Sequence, residues 1–265
     1  MVFPVNFWLL FAAAMVISSM GFKKYVWFIS LGYGFSIAGE GLLMAILYGK
    51  TLTPGTLVCC LLFVLYGLRL GGYLAIREFK SASYNKNMTG EIKTDVPMGV
   101  KIAIWVTCAV LYVLQVLPVF YRLHNGSGSN AWTYIGAAVM LFGIVFESVA
   151  DLQKNAAKKV NSRRFVDTGL YRIVRCPNYL GEMIFWTGVL IIGIGAVSGI
   201  GQWIMALVGY IGIIFVMFSG ARRLEIRQNK NYGKDPEYQK YVKSVPILVP
   251  FIPLYSVEKY KFLVA

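Results

Sequence analysis

The sequence predicts an all-α integral membrane protein, a single domain over residues 1–265 built as a bundle of seven transmembrane helices. Of its 265 residues, 57% are hydrophobic and only 14% are charged, against ~25% charged in an ordinary soluble domain. A soluble chain of this length cannot bury so much apolar surface, and disordered chains are poor in apolar and aromatic residues. Both classes are therefore excluded, and a polytopic membrane protein is expected.

Seven apolar runs are long enough to cross the bilayer core, which takes ~20 residues per helix. They lie at roughly residues 3–20, 25–48, 54–76, 100–120, 132–150, 179–196 and 201–220. Residues 221–265 begin polar and end in an apolar run that contains Pro246, Pro250 and Pro253. Because these prolines prevent a regular helix, we expect a tail that lies on the membrane rather than an eighth span.

The Lys and Arg residues are concentrated after the odd-numbered runs. All of them except Lys50, Arg69 and Arg122 follow the first, third, fifth or seventh run. Since cytoplasmic loops of membrane proteins collect basic residues, we expect an outside or lumenal N-terminus and a cytoplasmic C-terminus. The same rule explains the net charge of +14, so no nucleic-acid partner is expected. A bacterial inner membrane and the endoplasmic reticulum both fit.

Residue types that bind metals are scarce in this chain. It has four cysteines, without a CxxC spacing, and one histidine, His124. These residues do not provide a zinc site or a multi-histidine metal site, so no metal is expected. A catalytic triad centred on histidine is not expected either.

Ionisable residues inside the apolar runs are functional candidates, because a charge in hydrocarbon costs ~3 kcal/mol or more. They are Glu40, Arg69, Glu147 and Glu182, with Asp151 at the edge of the fifth run. Glu147 and Asp151 are four residues apart and share a helix face, as do Asn178 and Glu182. Arginines in the adjacent cytoplasmic segments suit a phosphate-bearing cofactor, since Arg binds phosphate by a bidentate fork. An apolar cavity above them would suit a lipid-like substrate.

Structural interpretations of the same residues stay open. Glu147 and Glu182 could pair with arginines only to satisfy buried polar groups. The basic residues could be topological charges or contacts to anionic lipids, and Tyr66 could be a core aromatic residue. Glu40 has no charged residue near it in the sequence, which favours a functional role.

One stretch resembles the signature of a known family. Residues 164–182 read RFVDTGLYRIVRCPNYLGE, which is similar to the G-L-W-R-x-x-R-H-P-N-Y-x-G-E pattern of the steroid 5-alpha-reductase superfamily, in its uncharacterised branch. Glu147 and Asp151 match the E-x-x-x-D element of that family. C-terminal elements also match in order, so the resemblance is strong over residues 145–253. The first 140 residues match mainly in the pattern of spans.

The resemblance implies an NADPH-dependent reductase that acts on a C=C bond conjugated to a carbonyl. Its lipophilic substrate, a 3-oxo-delta-4 steroid or a similar enone, would enter a monomeric protein from the membrane. Glu40 looks like the catalytic Glu of the family, and Tyr66 with Arg69 is similar to its Tyr-x-x-Arg element. Hydride addition puts negative charge on the carbonyl oxygen, to which Tyr66 and a protonated Glu40 could donate hydrogen bonds.

The resemblance also implies a cofactor site that faces the cytoplasm and is closed by the tail, residues 221–265. The residues expected to contact NADPH are Glu147, Asp151, Arg164, Asn178, Tyr179, Glu182, Arg69, Arg222, Arg223, Tyr238 and Tyr241. Cys176 stands where this branch usually has His, which leaves the affinity for the cofactor, or its identity, open.

Two other functions compete with the reductase. Membrane methyltransferases of the isoprenylcysteine carboxyl type share the R-H-P-x-Y-x-G element but bind S-adenosylmethionine. Two features favour the reductase. The motif ends in Glu182, and the region after the seventh run has a single glutamate, Glu225, where the methyltransferases have a pair. A non-enzymatic lipid-binding protein descended from the enzyme is the second alternative, and it predicts a dispensable Glu40. An enoyl thioester or a polyprenyl compound also stays open as the substrate, and so does the stereochemistry of the product.

Overall fold

The computed structural model describes residues 2–80 and 96–263, and every regular element in these ranges is helical. The all-α prediction is therefore confirmed for the described residues. Lys86 and Lys93, two of the basic residues from which the orientation in the membrane is predicted, lie outside these ranges. The helices are α1 (Val5–Ser18), α2 (Val26–Ile29), α3 (Leu31–Leu47), α4 (Pro54–Lys80), α5 (Met98–His124), α6 (Ala131–Val160), α7 (Pro177–Ile192), α8 (Gly199–Tyr232) and α9 (Pro236–Ser244), with 3-10 turns at Ser19–Phe22 and Gly169–Arg172.

Five helical segments are long and apolar enough to cross a membrane. They are Val5–Phe22, Pro54–Phe79, Met98–His124, Ala131–Val160 and Gly199–Tyr232, and they correspond to five of the seven apolar runs. The second run is divided at Ser30, where the backbone leaves the helical region and α2 gives way to the 17-residue α3. The sixth run forms α7, which has 16 residues. By length and composition these helices are consistent with an integral membrane protein, and the count of seven spans stays a prediction.

The chain folds into two compact units. The first unit contains Met1–Ala137 and Val189–Tyr210, and the second contains Ala138–Gly188 and Ile211–Ala265. Helices α6, α7 and α8 each contribute residues to both units. The single-domain interpretation stays a prediction.

Glycines allow α3 and α4 to approach each other closely in the first unit. A Cβ atom at Gly67 would lie 2.3 Å from the carbonyl oxygen of Gly34, and one at Gly41 would meet α4 at 2.6 Å. Small residues permit such close contact between the backbones of membrane helices. Glu40 and Tyr66, each next to one of these glycines in sequence, are therefore held on two tightly packed helices.

Arg122, one of the three basic residues that do not follow an odd-numbered run, is fully buried near the end of α5. Its guanidinium group donates hydrogen bonds to the carbonyl oxygens of Gly128 (2.7 Å), Ile192 (2.8 Å) and Ile194 (2.8 Å). These bonds satisfy carbonyl groups at the end of α7 and tie this end to the loop after α5.

Glycines also bring α6 and α7 together in the second unit. A Cβ atom at Gly143 would lie 2.6 Å from the backbone nitrogen of Phe185, and one at Gly181 would lie 2.7 Å from the Cβ atom of Glu147. The contact places Glu147 directly against the turn of α7 that carries Glu182.

The C-terminal segment, residues 245–263, which we call the strap, packs against the rest of the second unit. Its buried side chains Ile247, Leu248, Val257 and Leu263 form one apolar cluster with Cys176 and Ala221. The backbone N–H groups of Arg175 and Cys176 donate to carbonyl oxygens of the strap at 2.9 and 3.0 Å. The strap is thus an integral part of this unit.

Candidate active site

A set of polar side chains on α3, α4 and α5 is buried within the first unit, and we call it the Glu40 cluster. Its members are Tyr33, Ser36, Glu40, Tyr66, Tyr112 and Gln115, each no more than 7% exposed. The hydroxyl groups of Tyr33 and Tyr66 are hydrogen-bonded at 2.8 Å. The rings of Tyr33 and Tyr112 lie 5.3 Å apart, and Tyr112 is within electrostatic range of Glu40. The cluster therefore connects all three helices.

Glu40 is the carboxylic acid of this cluster. It is completely buried, and neither of its carboxylate oxygens has a hydrogen-bond partner among the described residues. Buried polar atoms in folded proteins are normally satisfied, and an exception calls for an explanation. A carboxyl group in this position is suited to bind a polar atom of a ligand.

Glu40 and Tyr66 were predicted from the sequence as functional residues, but the other members of the cluster were not. Ser36 lies four residues before Glu40 on α3, and Gln115 lies three residues after Tyr112 on α5. These spacings place each pair on one helix face and were a readable signal. Uncharged polar residues are common in membrane helices, however, so the signal gains meaning only from the structure.

Arg69, expected to contact the cofactor, belongs to the first unit, and its guanidinium group lies 5.9 Å from the ring centre of Tyr73. The other residues expected at the cofactor site belong to the second unit. Their roles stay predictions.

The second unit contains three buried carboxylates from the predicted set. Glu147, Asp151 and Glu182 are 3%, 7% and 6% exposed. Asn178 is half-buried at the start of α7, and the ring of Tyr179 lies against Gly220 of α8. Carboxylates buried in this way accept hydrogen bonds strongly, which suits hydroxyl or amide groups of a ligand.

The predicted arginines of the second unit lie nearer its surface. Arg164 is exposed and forms ion pairs with Asp167 and Glu237, which raise the pKa of its guanidinium group. Arg222 donates to backbone carbonyl oxygens of the strap at 2.9 and 3.0 Å, and Arg223 is exposed. Arg164 and Arg222 thus already bind protein groups.

The predicted tyrosines of α9 are held by protein acceptors. Tyr238 donates its hydroxyl hydrogen to Asn229, and Tyr241 donates to the carbonyl oxygen of Tyr171, both at 2.7 Å. Burial raises the pKa of Tyr238 to about 12 and also raises the pKa of Tyr241. Both hydroxyl groups therefore remain protonated at neutral pH.

A buried ion pair between Arg175 and Glu225 was not among the predicted contacts. The two side chains are 1% and 3% exposed, and their charged atoms lie 2.8 Å apart. Glu225 also accepts a hydrogen bond from the backbone of Val257 at 2.9 Å, and Arg175 donates to the carbonyl oxygen of Tyr255. The pair therefore fastens the strap. The sequence indicated this pair only in that both residues lie within residues 145–253, where the resemblance to the reductase superfamily is strong.

Cys176, at the position where the resembled branch usually has His, is 2% exposed in the apolar cluster beneath the strap. Burial raises the pKa of its thiol to about 12. The side chain at this position thus forms part of the core of the second unit.

The chain matches a family model over most of its length. The model, described as a protein of unknown function (DUF1295), covers residues 14–245. The chain belongs to the DUF1295 family. This family is related to the steroid 5-alpha-reductase superfamily, so the resemblance in the motif holds at the level of a reductase-like superfamily.

Two relatives match parts of this DUF1295 member. It is 31% identical over 121 residues to a very-long-chain enoyl-CoA reductase of Dictyostelium discoideum, covering 45% of the chain and 36% of that protein. It is 29% identical over 147 residues to an uncharacterized protein of Schizosaccharomyces pombe, covering 48% and 41%. The chain thus aligns with less than half the length of each relative. No solved structure matches it significantly.

Proposed function

We propose that this DUF1295 member is a membrane-embedded, NADPH-dependent reductase of a C=C bond conjugated to a carbonyl in a lipophilic substrate, a 3-oxo-delta-4 steroid or a similar enone. The observation that carries the proposal is the Glu40 cluster, in which a fully buried carboxyl group accompanies a hydrogen-bonded pair of tyrosines. The relative named as a very-long-chain enoyl-CoA reductase supports reduction of a C=C bond.

The cluster supplies hydrogen-bond donors to the oxygen that becomes negative during the reaction. Hydride addition to the β carbon moves charge onto the carbonyl oxygen, and the α carbon then takes up a proton that derives from solvent. When Tyr33 donates to the oxygen of Tyr66, the hydroxyl group of Tyr66 can in turn act as a donor to the substrate. Protonated Glu40 is the second donor. Preorganised donors of this kind typically contribute ~10²–10³ in rate each.

The donor set of the second unit suits a dinucleotide. Buried Glu147, Asp151 and Glu182 can accept hydrogen bonds from ribose hydroxyl and carboxamide groups. The exposed guanidinium group of Arg223 can bind phosphate, and Arg222 can do so only by exchanging its present partners in the strap. NADPH, when bound, supplies the hydride.

The proposal includes the membrane arrangement expected from the sequence. Helices α3 and α7 complete seven spans, with the N-terminus outside and the C-terminus in the cytoplasm, and the protein acts as a monomer. Leu42 and Ile46 of α3 are 56% and 67% exposed, as expected for side chains that face lipid. In the strap, Phe251 is 99% exposed, which suits contact with the membrane surface.

The cofactor is tested by thermal unfolding of the purified full chain in detergent. A ligand that binds only the folded state stabilises it and so raises the midpoint temperature of unfolding. At a ligand concentration of a hundred times the Kd, the free energy of unfolding increases by ~2.7 kcal/mol. We expect NADPH to stabilise the protein and S-adenosylmethionine to have no effect. Stabilisation by S-adenosylmethionine alone would identify a methyltransferase, and stabilisation by neither would indicate a lipid-binding protein.

The acid is tested with Glu40→Gln. The amide keeps the shape of the side chain but is a weaker donor, so we expect turnover of an enone to fall ~10²–10³-fold. Stabilisation by NADPH should persist in this variant. Glu237→Gln, a change at an exposed carboxylate, is the matched control and should retain wild-type turnover. Full turnover by Glu40→Gln would remove the proposed acid.

A further inference from the structure

Gln115 is a buried amide whose hydrogen-bonding groups are not used within the described parts of the chain. It lies on α5, is 3% exposed, and neither its Oε1 nor its Nε2 atom has a partner there. A buried donor and acceptor left unsatisfied destabilise the protein that contains them. Such an arrangement is expected where a ligand satisfies both atoms.

Ser36 lies at the same level of the first unit as Gln115. It is completely buried, and its hydroxyl group also has no partner within residues 2–80 and 96–263. Helices α3 and α5 run in the same direction. The rings of Tyr33, near the start of α3, and Tyr112, in the middle of α5, are 5.3 Å apart, and Tyr48, directly after α3, contacts Phe120 and His124 further along α5. Ser36 and Gln115 each follow three residues after one of these contacting tyrosines.

The distance from Ser36 to Glu40 is set by the helix. The two residues are four positions apart on α3, so they share a face and are separated by about 6 Å along the axis. Glu40, Ser36 and Gln115 are each without a partner for at least one buried polar atom among the described residues. A ligand whose carbonyl oxygen binds at Glu40 therefore meets a second polar position one helical turn away.

We propose that Ser36 and Gln115 form a substrate subsite for the first amide of a pantetheine thioester, whose conjugated carbonyl binds at Glu40. A primary amide both donates and accepts, so its best partner is a group that does the same, such as a secondary amide. In a pantetheine thioester, one sulfur and two methylene groups separate that amide from the thioester carbonyl, a reach comparable with one helical turn. In a steroid enone, a second polar group at the far end of the ring system lies too far from the conjugated carbonyl to reach Ser36 and Gln115 when that carbonyl binds at Glu40. The proposal rests on the proposed reduction of a conjugated C=C bond, and it names an enoyl thioester, in place of the steroid enone, as the substrate.

The subsite is tested with a pair of substrates that differ only in the amide. One is the trans-2-enoyl thioester of N-acetylcysteamine, and the other is the same acyl group on pentanethiol, which has equal length but no amide. We expect the wild type to prefer the first by at least about tenfold in kcat/KM, as for a site built around a hydrogen bond. In Gln115→Met, this ratio should fall to near one.

The matched control is Gln202→Met. Gln202 is also a buried glutamine of the first unit, but it bonds to Asn125 and to the backbone of Ser198. This variant should keep the wild-type preference between the two thioesters. Ser36→Ala, a smaller change, should lower the preference in the same direction as Gln115→Met. An unchanged ratio in both subsite variants, or an equal loss of activity on both substrates, would overturn the proposal.

Thermal unfolding provides a second readout that does not need turnover. Because Gln115 holds unsatisfied groups, Gln115→Met should raise the midpoint temperature of the unliganded protein, whereas Gln202→Met should lower it. The saturated N-acetylcysteamine thioester should stabilise the wild type but not Gln115→Met. A fall in the midpoint for Gln115→Met equal to that for Gln202→Met would show that Gln115 is satisfied by the protein, against the proposal.

The two proposals fail in different ways. If the wild type reduces neither thioester but is stabilised by the saturated thioester through Gln115, the subsite stands and the reductase fails. If the wild type reduces a steroid enone and neither thioester, the reductase stands and the subsite fails. Coenzyme A and acyl carrier protein both present this pantetheine amide. Comparing turnover of enoyl-coenzyme A with that of enoyl-acyl carrier protein shows which of them carries the substrate, and turnover of either one supports the subsite.

Discussion

Replacing Glu225 with alanine removes one partner of the buried ion pair that fastens the strap. The Arg175 and Glu225 side chains are 1% and 3% exposed and 2.8 Å apart, so the remaining guanidinium group would stay buried without its counterion. Breaking such a pair from one side costs ~3–5 kcal/mol. The hydrogen bond from the backbone of Val257 to Glu225 is lost as well, at ~1 kcal/mol. We therefore expect the free energy of unfolding to fall by about 4–6 kcal/mol.

The assay combines thermal unfolding in detergent with limited tryptic digestion. Glu225→Ala should unfold at a lower temperature than the wild type and should be cleaved faster after Lys259, an exposed residue of the strap. The double variant Arg175→Met with Glu225→Leu should recover much of the stability, since an apolar pair leaves no buried charge.

Glu237→Ala is the control for the loss of a carboxylate. Glu237 is 68% exposed in its side chain and pairs with Arg164, which is itself exposed, and exposed pairs often contribute nothing measurable. If Glu225→Ala unfolded at the same temperature as Glu237→Ala and its strap were cleaved at the wild-type rate, the reasoning from the buried pair would be wrong.

Two further predictions concern close packing and a buried thiol. Gly67→Val should destabilise the protein by ~1–3 kcal/mol or more, because a Cβ atom there would lie 2.3 Å from the carbonyl oxygen of Gly34. Gly72→Val, in open space, should be far milder, and equal midpoints of thermal unfolding for the two variants would contradict the packing. Burial raises the pKa of the Cys176 thiol to about 12. Its alkylation in the folded protein should therefore stay slow at both pH 7 and pH 9. The alkylation rate of an exposed thiol of pKa ~8.5 increases about tenfold or more between these two pH values. Mass spectrometry of iodoacetamide-treated protein measures this, and rapid labelling of folded protein that increases with pH would count against it.

The candidate site was predictable from the sequence only where charge is costly. Glu40, Glu147 and Glu182 stand out because each interrupts an apolar run. Ser36 and Gln115 carry no charge, and their spacing from Glu40 and Tyr112 alone does not distinguish them from other uncharged polar residues of membrane helices. Their relation to Glu40 depends on α3 and α5 lying side by side, which is a contact between segments distant in the chain.

The sequence by itself determined the class of this protein, an all-helical membrane chain, because apolar content and run length are local properties and backbone hydrogen bonds must close within each span. The tertiary structure alone decided which partners the polar side chains have. Arg122 counted only as a loop charge in the sequence, yet it is fully buried and donates to three carbonyl groups. Cys176 fell within a motif expected at a cofactor site, yet it lies in the apolar cluster beneath the strap. The physical reason is that burial and hydrogen bonding at these positions arise from segments far apart in the chain, which no local pattern encodes.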